Sequence, residues 1–460
     1  MTMLLGVSIT VYLTIMFGIA LWSQSKIKDE EDYIVAGRKM PMLLTSATLL
    51  ATWFGAGTLL TATDEIYRDG LHVTALEPYG AGLCLLIAGL FFAKPLWEMK
   101  VCTISDIYKN KFGPRAEAWS VMLTVPGYIG WIAVQLAALS GIIQIFFGVP
   151  TTISIPAVAL IAMAYTLLGG MWSVSITDAA QIILVVAGML MLSFNVFTGL
   201  GGGVAAGIEK ALAAANPKDL VLIPHESAAE FMGWLSVLAV AAIGNLPGQD
   251  LGQRIFSAKS SRTAQHACYL AGFLYIVLGT IPVLLGIAAK SILPPDVTHS
   301  VLPALARAYL SPAATVMFML ALLSVVLSTI DSAILAPAAT LARNALRPYV
   351  PARISTIILC QYCVVLVTAA SAALALSGEK TYKLLEESYA IGLVGLFVPF
   401  FICVFSKRHD ETAALISMAV GTAIWLLSFA LDTTLPMDLI AVSAGFAAYY
   451  LAANWRRKKA

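Results

Sequence analysis

The chain has 460 residues, 59% of them hydrophobic and only 12% charged, with a mean hydropathy of +0.86 and a formal net charge of +2. A soluble domain carries about 25% charged residues, so this is the composition of a polytopic membrane protein, and the near-zero net charge gives no basic field to favour a nucleic-acid partner. The six cysteines lie mostly inside apolar segments with neither metal-ligand spacing nor a disulfide framework, and read as packing residues.

In chain order, apolar runs of roughly 20 residues or more predict about thirteen transmembrane helices. They fall near 3–23, 41–66, 73–95, 117–147, 151–169, 175–199, 229–256, 262–290, 312–345, 354–377, 381–405, 411–430 and 436–454. The first run lacks a basic leader and a small-residue cleavage site, and its positive charges (Lys26, Lys28, Arg38, Lys39) follow it, so it reads as an anchor rather than a signal peptide. An odd number of spans puts the termini on opposite sides. Placing most of the 28 Lys and Arg residues inside sets the N-terminus outside and the basic tail RRKK at 456–459 in the cytoplasm of a multi-pass plasma (inner) membrane protein. No soluble domain fits between the spans. The longest outer loop, 200–228, has room for one short amphipathic helix, and His225 there, like His72, His266, His299 and His409, has no sequence neighbour that predicts a metal site.

Two spans carry helix breakers. The second contains ATWFGAGT at 51–58, and the seventh contains GNLPGQD at 244–250, where proline removes a donor and glycine loosens the turn. Gly and Pro are common in membrane helices, so it is the paired placement that carries the argument. Five spans separate the two, each break opens a unit of five helices (spans 2–6 and 7–11), and an odd repeat length makes the second unit inverted. Broken first helices in inverted repeats predict a binding site at the midplane, lined by unwound backbone. The chain then divides into an N-terminal extra helix and loop (1–40), a first repeat (41–199), an outer loop (200–228), a second repeat (229–405) and two C-terminal helices with the basic tail (406–460).

The ninth span contains SVVLSTIDSAIL at 324–335. At helical spacing Ser324, Ser328, Asp331 and Ser332 share a face, with Thr329 beside it. An aspartate at membrane depth costs roughly 2.5–3.5 kcal/mol on insertion scales, so it should face a wet cavity or a partner. A single hydroxyl here would merely bond back to its own helix. The cluster of hydroxyls and a carboxylate, without His or Cys, suits a hard cation.

Several of these motifs occur in one family's order. GGMWSVSITDAAQ at 169–181 resembles the GG…TDxxQ signature of the sodium/solute symporter family, Gln253-Arg254 with Ala258-Lys259 resembles its QR…AK segment, and Ser328-Thr329 match its paired hydroxyls. The resemblance runs from about residue 30 to 405 and implies an all-α, LeuT-type fold of inverted five-helix repeats. It implies a sodium site made by the Ser328 and Thr329 hydroxyls with the carbonyls of Ala51, Phe54 and Val325, and a candidate second ion at Asp178, Asp331 and Ser332. Asp331 departs from the family's plain hydroxyl pattern there, and either strengthens a second ion site or pairs with a cation such as Arg254; Asp178 alternatively caps a helix after Gly169-Gly170. Within the family the resemblance leans to the choline transporter branch, which holds a quaternary ammonium in an aromatic box. Trp53 and Trp131 are kept, whereas Gly248 stands where that branch has tryptophan, the third-span tyrosine is replaced near Ala81, and an eleventh-span aromatic aligns with Glu386.

The substrate site implied therefore draws on Trp53, Thr58, Glu77, Trp131, Asn245, Gln249 and Glu386. The function expected is sodium-coupled import of a small polar organic solute by alternating access, with an amine, a quaternary amine or an amino-acid-like compound as candidates. The alternatives are a proton-coupled transporter and a non-transporting solute sensor on the same fold. No nucleophile with a paired base argues for an enzyme, and no cofactor is expected beyond Na+ as coupling ion. The expected partners are the solute, sodium and the lipid bilayer, with the chain a monomer or homodimer.

Overall fold

The computed structural model describes residues 2–294, 297, 301–378, 380–431 and 435–459; His299 lies outside them. Among the described residues the elements are helices, joined at one point by an isolated bridge between Met40 and Ala258. Helices span the bilayer because each satisfies its own backbone donors and acceptors where no water is available.

Ten of these helices are long and apolar enough to cross a membrane, or eleven when the bent pair Met42–Trp53 and Gly57–Asp69 counts as one span. The fifth and thirteenth sequence segments do form helices. The fifth is the first half of Thr151–Gly201, and the thirteenth is Met437–Lys459, which carries Asp438 at one end and Arg456 and Arg457 at the other. By length and hydropathy neither qualifies on its own, so about thirteen spans is more than that measure supports.

The fifth and sixth segments run together as Thr151–Gly201, divided at Gly170, whose φ of 52° and ψ of −164° are not helical. That conformation belongs almost to glycine alone. A Cβ at Gly170 would also stand 2.7 Å from the Tyr33 carbonyl oxygen. Both causes act together, so Gly170→Ala is expected to destabilise the protein by about 1–3 kcal/mol, read as a lower melting temperature in detergent. An unchanged midpoint would show that the kink is not required. The loop at 200–228 holds the expected short helix, Val204–Ala214.

Burial sorts the helices into centre and rim. In Pro312–Tyr349, 78% of the apolar window is buried, against 22% in Met3–Gln24. The first helix is thus a lipid-facing strut and the ninth span the central pillar. Pro312–Thr340 is started by the Ser311 hydroxyl, which accepts from the Ala314 amide, and packs on Thr151–Gly201, Pro114–Phe147 and Met42–Trp53. Apolar burial alone does not drive helices together in lipid; close fit and buried polar contacts do. Both lie along this pillar.

Both sequence breaks are real. Met42–Trp53 and Gly57–Asp69 meet at 52°. Ala228–Gly244 and Gln249–Ser257 are separated by Asn245, Leu246, Pro247 and Gly248. A Cβ at Gly244 would stand 2.9 Å from the Tyr389 carbonyl oxygen, so the second broken helix and Thr381–Ile391 touch backbone to backbone. The two interruptions and this contact frame the site.

Candidate functional site

At the first break the backbone ladder comes apart in a defined way. The Gly55 amide, which a continuous helix would give to Ala51, donates instead to the Trp53 carbonyl at 2.8 Å. The Ala56 amide, due to Thr52, donates to Gln135 Oε1 at 2.9 Å. The Ala51 carbonyl is thereby released, and the Ser328 hydroxyl donates to it at 3.0 Å while also reaching the Val325 carbonyl at 3.0 Å. Thr329 Oγ1 donates to the same Val325 carbonyl at 3.1 Å. A Cβ at Gly55 would stand 2.6 Å from Thr329 Oγ1, so only glycine lets the break approach the pillar this closely. Phe54 sits at the bend itself, with φ −76° and ψ 64°. Ala51, Val325, Ser328 and Thr329 thus meet at the break, next to the bend at Phe54. The donor set is neutral oxygen from two helices, the chemistry a hard monovalent cation accepts.

The three residues of the candidate second ion surround a guanidinium. Asp178 Oδ2 accepts from Thr48 at 2.5 Å and Thr52 at 3.4 Å, and lies 3.5 Å from Arg254 Nη2. Arg254 Nη2 donates to Ser332 Oγ at 2.6 Å, its Nε to the Thr48 carbonyl and hydroxyl at 3.2 Å, and its Nη1 to the Asp250 carbonyl at 3.0 Å. Arg254 therefore pairs with Asp178, and Asp331 is not its partner. Asp331 Oδ1 accepts the Ser332 amide at 2.6 Å, while Asp331 Oδ2 and Asp178 Oδ1 have no hydrogen-bond partner among the described residues. Asp178 caps no helix: it lies within Thr151–Gly201, well past the kink.

Between the two breaks lies a cavity of about 60 Å³. At roughly 10–15 Å³ per water-sized probe it admits a solute of a few heavy atoms. Trp53, Tyr128, Trp131 and Tyr389 wall it, with Asn245, Pro247, Gly248 and Asp250 along the second break. Trp131 is central, its ring 5.9 Å from Tyr128 and 6.4 Å from Tyr389. Asp250 Oδ2 accepts the Trp53 indole N–H at 2.6 Å, Oδ1 accepts the Tyr128 hydroxyl, and the Asp250 amide donates to that hydroxyl oxygen at 2.9 Å.

Of the substrate residues expected from sequence, Trp53, Trp131 and Asn245 line this cavity. Thr58 and Glu77 lie behind it. Glu77 accepts from Thr58 at 3.0 Å, Tyr275 at 2.6 Å and Tyr389 at 3.2 Å. Gln249 turns toward the loop before Ile104–Lys111, accepting the Ile104 amide at 2.7 Å. Glu386 is half-buried outside the lining; one turn further along its helix, Tyr389 supplies the eleventh-span aromatic. Sequence reasoning missed Tyr128, Tyr389 and Gln135 as site residues. Gln135 and Tyr128 sit on the same helix as Trp131, at spacings of four and three, and that periodicity is a usable signal. Among the described residues no group of His, Cys, Asp or Glu is arranged to hold a metal, and the cysteines are all unpaired.

A cluster of neutral oxygens from two helices thus stands at a broken helix beside a small aromatic cavity. The sequence matches the sodium:solute symporter family over residues 33–421. The chain belongs to this family. High-affinity choline transporter 1 of Caenorhabditis elegans is 26% identical to it over 468 residues, covering 92% of this chain and 78% of that protein. The sodium/glucose cotransporter of Vibrio parahaemolyticus is 27% identical over 293 residues, covering 61% of this chain and 54% of that protein. A solved structure of a Na+-coupled sialic acid symporter, substrate-bound and outward-open, superposes with a TM-score of 0.82 at 17% identity, covering 97% of this chain and 96% of that one. Mhp1, a nucleobase-cation-symport-1 family transporter, superposes with a TM-score of 0.64 at 13% identity, covering 93% and 95%. At such identities the likeness concerns the fold, which is of the LeuT type. The protein is a sodium-coupled membrane symporter. By their names these relatives handle a quaternary amine, a sugar and a sialic acid, so family membership leaves the solute to the cavity.

Proposed function

We propose that this symporter binds one sodium ion at Ala51, Phe54, Val325, Ser328 and Thr329 and imports a small polar organic solute through the cavity at Trp53, Trp131 and Asn245. The observation that carries this reading is the released Ala51 carbonyl, met at 3.0 Å by the Ser328 hydroxyl of the facing pillar. A cation placed between them would tie the broken helix to the pillar. Trp53, two residues from Ala51, is also a cavity wall, so ion and solute grip the same break. Each then raises the other's affinity by an equal factor. At the Asp178 position Arg254 already supplies the positive charge, which favours a single sodium.

Alternating access needs the two ends of the cavity to open in turn. At the end assigned to the cytoplasm, Arg343 pairs with Asp106 at 3.0 Å and with Glu30, and Asn344 donates to Asp106 and Glu117 at 2.8 Å each. This cluster joins the foot of the pillar to two short helices and to Pro114–Phe147, and is the latch that must part for release inward. The basic residues at the end of the last helix, Met437–Lys459, support the same orientation, in a plasma membrane.

The test is thermal stability of the purified protein in sodium against potassium at equal ionic strength, with amines, amino acids, carboxylates and sugars. A ligand that binds only the native state stabilises it by about 2.7 kcal/mol at a hundred times its Kd. Stabilisation by one solute class that requires sodium is the expected result. Equal shifts in potassium would remove the sodium seat from the mechanism.

A further inference from the structure

The cavity contains one unbalanced charge. Asp250 is 4% exposed, lines the cavity and forms an ion pair with no side chain among the described residues. Its nearest guanidinium is already engaged: Arg254 faces Asp178, Ser332 and Thr48, and gives Asp250 only a bond to its backbone carbonyl. Two donors, Trp53 and Tyr128, hold the carboxylate in place, and it sits in the first turn of Gln249–Ser257, where the helix dipole favours negative charge. A carboxylate offers about four lone-pair directions, so acceptor capacity remains on the cavity side. Gly248 has no side chain, and a Cβ at that position would stand only 3.0 Å from Asp250 Oδ1.

The geometry points to a solute that carries its own N–H cation, a protonated amine, amidine or guanidine, donating to Asp250 while its positive charge lies against Trp131. This deepens the reading of the chain as a sodium symporter and rests on it. A buried anion without a partner is costly, and such a solute supplies both the missing charge and a charge-assisted hydrogen bond. A quaternary ammonium supplies the charge but has no N–H, and its methyl groups hold the charge away from the carboxylate. It would be left with the aromatic faces alone. The solute would also act on the sodium seat, because Asp250 holds the Trp53 indole, and Trp53 belongs to the break that releases the Ala51 carbonyl.

The experiment measures binding to the full chain in detergent, by thermal shift in saturating sodium, with ethanolamine, N,N-dimethylethanolamine, choline and uncharged ethylene glycol. Both N–H cations should bind about tenfold or more tighter than choline, the span of one charge-assisted hydrogen bond, and ethylene glycol should not bind. Asp250→Asn should erase the difference between ethanolamine and choline. The comparison within the unmodified protein needs no variant to fold. Choline binding as tightly as ethanolamine, or no shift from either N–H cation, overturns the proposal. Stabilisation by sodium alone that is lost on Ser328→Ala would uphold the symport reading even then. Amine binding that persists in potassium would uphold the role of Asp250 and remove the coupling.

Discussion

Replacing Ser328 and Thr329 together by alanine is expected to abolish sodium-driven uptake in proteoliposomes while leaving the fold intact. The two hydroxyls are two of the five oxygens proposed for the ion. A bond to a charged partner contributes about 1.5–3 kcal/mol, so losing both should weaken sodium binding by a hundredfold or more. The fold should tolerate the change because these hydroxyls otherwise bond only to the Ala51 and Val325 carbonyls. The two side chains are small and buried, and the change removes one oxygen at Ser328 and one oxygen with one methyl at Thr329. The readout is initial uptake rate against sodium concentration, with circular dichroism and size-exclusion behaviour as the control for folding. A double variant with wild-type sodium dependence would place the ion elsewhere and return Asp178 and Asp331 to consideration.

The second large effect concerns Arg254. Its side chain is 1% exposed and is the one cation within ion-pair distance of Asp178 among the described residues. Arg254→Met keeps most of the volume and removes the charge, leaving Asp178 uncompensated beside a second buried carboxylate, Asp331. Breaking a buried pair from one side costs about 3–5 kcal/mol, enough to remove most folded protein from a membrane preparation. If the cause is the stranded charge, adding Asp178→Asn to Arg254→Met should restore a substantial part of the yield and melting temperature. The signature is a double variant more stable than the arginine variant alone. If the asparagine brings no relief, the bonds to Thr48, Ser332 and Asp250 matter and the ion pair does not; an arginine variant as stable as wild type would show that neither does.

The hydroxyl cluster and the break of the proposed sodium seat are legible in the chain because their grammar is local, whereas the carbonyls of Ala51, Phe54 and Val325 come from the family resemblance. Ser328-Thr329 lie one turn from Val325 on one helix, and the glycines at 55 and 57 mark where the facing helix must open. The cavity is only half legible. Trp53 and Trp131 stand out by residue type and position, but the eleventh span points to Glu386 when the wall is Tyr389, one turn away on the same helix. A sequence gives a helix's contents and not its rotation within a bundle. Gln249 and Asp250 are adjacent, yet the first turns to the Ile104 amide and the second to the cavity. Adjacent residues on a helix diverge by about 100°, and the phase is set by what packs on each side.

By itself, then, the sequence determined the class, the all-helical membrane architecture and the two breaks. These follow from composition, hydropathy and the backbone chemistry of Gly and Pro, which act within a few residues. Only the tertiary structure decided the partnerships of the buried charges: Arg254 with Asp178, Asp331 without a cation among the described residues, Glu77 under three hydroxyls and Asp250 on the cavity wall. The physical reason is that a charge in a low-dielectric interior is settled by whichever groups lie within a few ångströms. Those groups come from helices distant in the chain, and only their packing brings them together.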